Sequence, residues 1–94
     1  MEDIFSQRVS IPRDVMVRDV AGESVILNLA TETYFGLDDV GTRMWKALED
    51  NTTVQAAYQK LLHEYDVDPE TLRRDFQELI GKLVEHGLLE LDSA

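Results

Sequence analysis

The chain contains no cysteine. Disulfides, zinc–thiolate centres and thiol catalysis are therefore excluded, and a cytoplasmic location is the expectation. Histidine is scarce too, at two residues, and the five glycines are scattered, so no glycine-rich loop is available to cradle a phosphate. No run of about 18 apolar residues occurs, and no basic-then-apolar leader opens the chain, so neither a membrane span nor a secretory signal is expected. Positive charge is the other shortage. Nine bases face nineteen acids, for a net charge of −10. Such a surface repels a nucleic-acid backbone or an anionic membrane and steers basic partners toward it, although excess acid also serves simply to keep a small protein in solution.

What is present is enough for one domain. Ninety-four residues leave little room for a second, and 44% apolar with 30% charged residues is an ordinary mix for a core and its surface. Residues 1–14 lack periodicity and read as an N-terminal arm lying across the domain or fraying. In "DVMVRDV", Val15 and Val17 alternate with Met16 and Arg18, as in a half-buried strand. Ala21-Gly22 makes a turn. "ESVILNL" follows, with Val25, Leu27 and Leu29 on one side and Ser24, Ile26 and Asn28 on the other. A second turn at Thr31-Glu32 leads into a very short third strand, "TYFG". Three strands with tight connections form an antiparallel meander whose first and third strands are edges.

From Asp38 the period becomes helical. Asp38 or Asp39 caps a first helix with Val40, Met44, Trp45 and Leu48 on one face. A second helix starts at Thr52 or Thr53, with Gln55 completing a capping box if Thr52 is the cap. Its stripe is Val54, Ala57, Tyr58, Leu61, Leu62 and Tyr65. The third helix carries the clearest start signal, Asp68-Pro69-Glu70, and ends at Gly87. Its stripe is Leu72, Phe76, Leu79, Ile80, Leu83 and Val84. "LLEL" and residues 92–94 are a short extended tail. The expected fold class is α+β, winged-helix-like, a three-stranded antiparallel sheet followed by three helices, with the domain proper over residues 15–91.

Chemistry is poorly represented. His63 lies off the stripe of its helix, and His86 occupies the last turn of the third helix, where a cationic ring suits the dipole. The serines at 6, 10, 24 and 93 have no base near them in sequence. No catalytic residue, metal or cofactor is expected. DNA binding fails on charge. From Pro69 to His86 the helix that would read bases carries Arg73, Arg74 and Lys82 against Glu70, Asp75, Glu78 and Glu85, a net 3 − 4 = −1. Peptide capture remains. An edge strand offers unpaired backbone groups, and the broad stripe at Phe76, Leu79, Ile80 and Leu83 is wide enough to leave a groove beside it, although a three-helix core can also absorb all of these residues.

The segments "ILNL", "YFGLDDVGTRMW", "TVQAAYQKLLHEYDVDPETLRRDF" and "LVEHGLLEL", in this order over about residues 15–91, resemble the PqqD-like family of leader-recognition domains of ribosomally made, modified peptides. "Y-F-G-L-D-x-V-G-x-x-x-W" is most similar to the free-standing recognition proteins of lasso-peptide pathways. The resemblance implies a non-catalytic adaptor. It binds the leader of a precursor peptide as an added antiparallel strand on the third strand and presents it to a leader-cleaving cysteine protease. On this chain it implies backbone bonds from Thr33 to Gly36, apolar contacts from Tyr34 or Phe35 and from Phe76, Leu79 and Leu83, and contacts of Arg73, Arg74 and Lys82 with acidic leader side chains. A monomer or weak homodimer is expected, with an exposed third strand able to pair with its own copy. The alternatives are a recognition protein of another modified-peptide pathway such as pyrroloquinoline quinone, a winged-helix DNA-binding regulator, and a structural subunit that docks on an enzyme without touching its substrate.

Overall fold

The computed structural model describes residues 3–92. Met1 and Glu2 of the arm, and Ser93 and Ala94 of the tail, lie outside the described residues. Strands β1 (Arg8–Ser10), β2 (Val15–Val20), β3 (Glu23–Asn28) and β4 (Thr33–Leu37) precede helices α1 (Asp39–Asp50), α2 (Val54–Glu64) and α3 (Pro69–Glu85), and β5 (Glu90–Asp92) follows. The fold is α+β, with the antiparallel sheet β2-β3-β4 packed on three helices.

Local signals account for most of the boundaries. Ala21 and Gly22 both take positive φ, 52° and 86°, the geometry that matches a two-residue hairpin to strand twist. Asp38 accepts a 2.8 Å bond from Gly41 N–H and caps α1, and Asp68 accepts from Thr71 N–H at 3.0 Å with Pro69 opening α3. Thr53, not Thr52, caps α2 by accepting from Ala56 N–H, so Gln55 falls one position short of a capping box. Gly87, at φ +73°, ends α3 in the left-handed region.

The sheet turns its less apolar-looking side inward. Ser24, Ile26 and Asn28 are buried, while Val25 and Leu27 are half-buried on the open face and Leu29 is exposed. The two inward polar residues are satisfied by hydrogen bonds. Ser24 Oγ and Thr42 Oγ1 share a 2.7 Å bond, and Asn28 donates to the Gly87 carbonyl at 2.8 Å while its Oδ1 accepts from Ala30 and Thr31 N–H. A buried hydroxyl pair and an amide bonded through both its nitrogen and its oxygen cost little, so polarity alone did not fix which side faced the core.

The arm and the tail meet. β1 and β5 form a two-stranded antiparallel sheet, Val9 opposite Leu91. On its other side the arm is tied to the α1–α2 junction, where Val9 N–H donates to Thr52 O and Val54 N–H to Gln7 O. Phe5 is buried in the core, edge-on to Tyr58 and Phe76. Two strands of three residues, separated by nearly the whole chain, carry no periodicity that a sequence could display.

Candidate functional site: an open strand edge beside α3

In the sheet order β2-β3-β4, strand β4 pairs on one side only. The register and one further bond set which of its backbone groups are free. Leu29 N–H donates to Asp14 O, which sets the phase of the ladder, so that two residues apart the hydrogen-bonded pairs are Leu27 with Met16 and Val25 with Arg18. The intervening residues of β3, Ser24, Ile26 and Asn28, therefore direct their backbone toward β4, where their partners are Leu37, Phe35 and Thr33. What remains, N–H and C=O of Tyr34 and of Gly36, points away from the sheet. Among the described residues nothing bonds to these groups.

Side chains alternate about this edge. Phe35, opposite Ile26, points to the helices and its ring centroid lies 5.3 Å from that of His86. Tyr34, opposite Leu27, points the other way and is 71% exposed on the open face of the sheet. Of the two aromatics, Phe35 is therefore the one that borders the cleft with α3.

The 3.6-residue period divides α3 into two flanks around its buried line of Phe76, Ile80 and Leu83. One flank runs through Leu72, Asp75, Leu79, Lys82 and His86, and the contact of His86 with Phe35 identifies it as the wall facing β4. At the far end of this wall a pocket of about 480 Å³, open mouth included, is lined almost wholly by apolar groups, among them Val40, Met44, Tyr65, Val67 and Leu72. The Tyr65 hydroxyl is buried there without a hydrogen-bond partner, and the Arg43 guanidinium lies 5.3 Å from the centre of its ring. Val40 is 53% exposed at this pocket, away from the core positions of α1.

The residues read from the sequence thus divide. Thr33, Tyr34, Phe35 and Gly36 lie on the open strand, and Leu79 and Lys82 on the flank of α3 that faces it. Phe76 and Leu83 are fully buried in the core and unavailable to a ligand. The Arg73 guanidinium lies 3.9 Å from the centre of the Phe5 ring and 3.2 Å from Asp3, bound to the arm on the opposite flank, and Arg74 shares that far side. The stripe was broad because α3 packs the arm as well as the helices. The pocket residues Val40, Val67 and Leu72, and His86, were missed. Val67, an apolar residue in a connection, was the one visible sign.

His86 Nδ1 lies 2.7 Å from the Lys82 carbonyl, His63 is exposed on α2, and no group of three or more metal-ligating side chains occurs among the described residues. No helix of the structure is long and apolar enough to cross a membrane.

This fold agrees with those of known proteins. The family model described as coenzyme PQQ synthesis protein D (PqqD) matches residues 23–89. The chain belongs to the PqqD family. The match runs from the start of β3 to just before β5 and includes β4 and α3. Among solved structures, the PqqD-family chain is similar to TbiB1 in complex with the TbiA(beta) leader peptide, at 38% identity and a TM-score of 0.76, over 85% of this chain and 93% of that one. It is also similar to a lasso peptide synthetase B1 complexed with the leader peptide, at 23% identity and a TM-score of 0.74, over 88% and 98% of the two chains, a likeness of fold. No curated protein sequence matches it.

Proposed function

We propose that this PqqD-family protein is a non-catalytic adaptor of lasso-peptide biosynthesis. It binds the leader of a precursor peptide by strand addition to β4 and presents it to a leader-cleaving cysteine protease. The observation that carries the reading is the pair of outward backbone sites at Tyr34 and Gly36, beside the apolar flank of α3. A neighbour 38% identical to it was solved with a leader peptide bound, which supports the same ligand class here.

An antiparallel guest exchanges up to about four hydrogen bonds with Tyr34 and Gly36. Its residues opposite Phe35 and Leu37 turn toward the helices, one onto Phe35 and Leu79 and the other toward the apolar pocket at Val40 and Leu72. Its N-terminal end then lies by Leu37 and its C-terminal end by Thr33. A leader disordered in solution loses entropy on docking, so net affinity is moderate. Once held, its downstream region is at high effective concentration for an enzyme that also contacts this domain. The acidic surface outside the cleft is available for that enzyme.

The decisive experiment titrates a labelled leader peptide from its own pathway into the wild type and into Gly36→Pro. Proline removes an outward N–H that the sheet does not use, a substitution edge strands accept. The expected result is a folded variant with binding weakened about fivefold or more, the equivalent of one hydrogen bond of ~1 kcal/mol. Unchanged affinity in a folded variant excludes strand addition at this edge. A second reading, leader recognition in pyrroloquinoline quinone synthesis, is favoured by the description of the matching family model. Titrating the precursor peptides of both pathways in parallel separates the two.

A further inference from the structure

Helix α3 has a second cleft on the flank away from β4. Ile4, Gln77, Ile80, Gly81, Val84 and Leu91 line a hollow of about 570 Å³, open mouth included, between α3 and β5. Its wall offers backbone as well as apolar surface. Val9 N–H of β1 is turned to Thr52, so β1 bonds β5 through Arg8 and Ser10, whose partners are Asp92 and Glu90. Leu91 N–H and C=O therefore face outward, and no bond to them is made among the described residues.

Two features of α3 are not accounted for by packing among the described residues. Val84 is 40% exposed at the floor of the cleft. Gly81 stands in mid-helix, where glycine costs about 0.5–1 kcal/mol relative to alanine, yet a Cβ there meets nothing within 4 Å. Internal packing does not require a glycine at this place. A chain approaching α3 from outside does. Exposed acids flank it: Glu78 and Glu85 stand on α3 beside Gly81, and Glu90 and Asp92 on β5 turn to the face opposite Leu91. Of the cations nearby, Arg73 is held by Asp3 and Phe5, Arg74 lies beside Asp75, and Arg8 stands across from Asp92.

We propose that this cleft docks an extended segment of a partner protein in which basic and apolar residues alternate. The apolar residues enter over Gly81 and Val84, the basic ones, on the other face of the added strand, meet Glu90 and Asp92, and the backbone pairs with Leu91. A second copy is a poor occupant, because it brings the same acids and a net charge of −10 to a site already flanked by acids. The site is independent of the leader cleft, and α3 can serve both at once, one on each flank.

The test titrates the isotope-labelled chain with a heptapeptide of alternating lysine and valine, and with its glutamate counterpart, following backbone amides by NMR. The expected result is saturable shifts at Gly81, Val84 and Leu91 with the lysine peptide only. Affinity should fall at least tenfold in Gly81→Arg, which fills open space, and in Val84→Glu, while leader affinity at β4 stays within twofold. Shifts spread over the acidic surface without Val84 and Leu91, or affinity unchanged in both folded variants, overturn the proposal. So does a concentration-dependent dimer that Gly81→Arg abolishes, which assigns the cleft to a second copy.

Discussion

Asn28 Nδ2 donates to the carbonyl of Gly87 at 2.8 Å, joining the inner face of the sheet to the end of α3 across 59 residues of sequence. This bond holds the far wall of the cleft between β4 and α3, since His86, which meets Phe35, immediately precedes Gly87. The same amide organises the turn into β4 through Ala30 and Thr31. Asn28→Ala removes three part-buried hydrogen bonds, to the Gly87 carbonyl and from two turn N–H groups, and is expected to cost about 1–3 kcal/mol, read as a lower urea midpoint at unchanged slope. Leader affinity should fall as well, because both walls lose their common brace.

Leu79 and Tyr34 separate groove from open face. Leu79→Asp places a charge on the wall opposite Phe35, where a docked peptide excludes water, and should weaken leader binding at least tenfold while the fold persists, Leu79 being only half-buried. Tyr34→Ser, on the side away from the helices, leaves the cleft wall intact and should change affinity less than threefold. Calorimetric titration of both variants checks the pair. The reverse order of effects places the bound side chains on the outer face.

Phe5 fills the core from the arm, edge-on to Tyr58 and Phe76 and beneath the Arg73 guanidinium. Phe5→Ala is expected to cost about 3–5 kcal/mol, a large part of the stability of so small a domain. A thermal melt should show a drop well beyond ten degrees, or no folded baseline. A loss under 1 kcal/mol means the arm is dispensable to the core.

Burial raises the Glu49 carboxyl above its ordinary value, and Asp50 and Asp19 push the same way. Lys46 opposes, as does the Trp45 indole one turn before it, although the buried Nε1–H falls short of hydrogen-bond geometry. The folded state then holds this proton more tightly than the unfolded chain. The resulting stability is fully present below the ordinary carboxylate range and is lost as pH rises through the raised value. Glu49→Gln should flatten the pH–stability curve in that window, with a small effect because the side chain is partly solvated. Urea midpoints on either side of the window test it.

Short-range chemistry was legible in the chain. The caps at Asp38 and Asp68, the Ala21-Gly22 hairpin, the Gly87 stop and three amphipathic helices follow from a few adjacent residues each. Of the residues bordering the cleft between β4 and α3, Phe35 with its neighbours and Leu79 were legible.

Sequence by itself determined the three central strands, the three helices and their order, because capping, turns and periodicity act within one or two turns of backbone. Only the tertiary structure decided which face each element buries. It turned Ser24 and Asn28 inward because Thr42 and Gly87 stand opposite them, committed Phe76 and Leu83 to the core and Arg73 to the arm, and paired β1 with β5. It also set the hydrogen-bond phase of β4, which leaves Tyr34 and Gly36 open to a guest. These outcomes depend on residues far apart in the chain, and a linear pattern carries no record of which of them will meet.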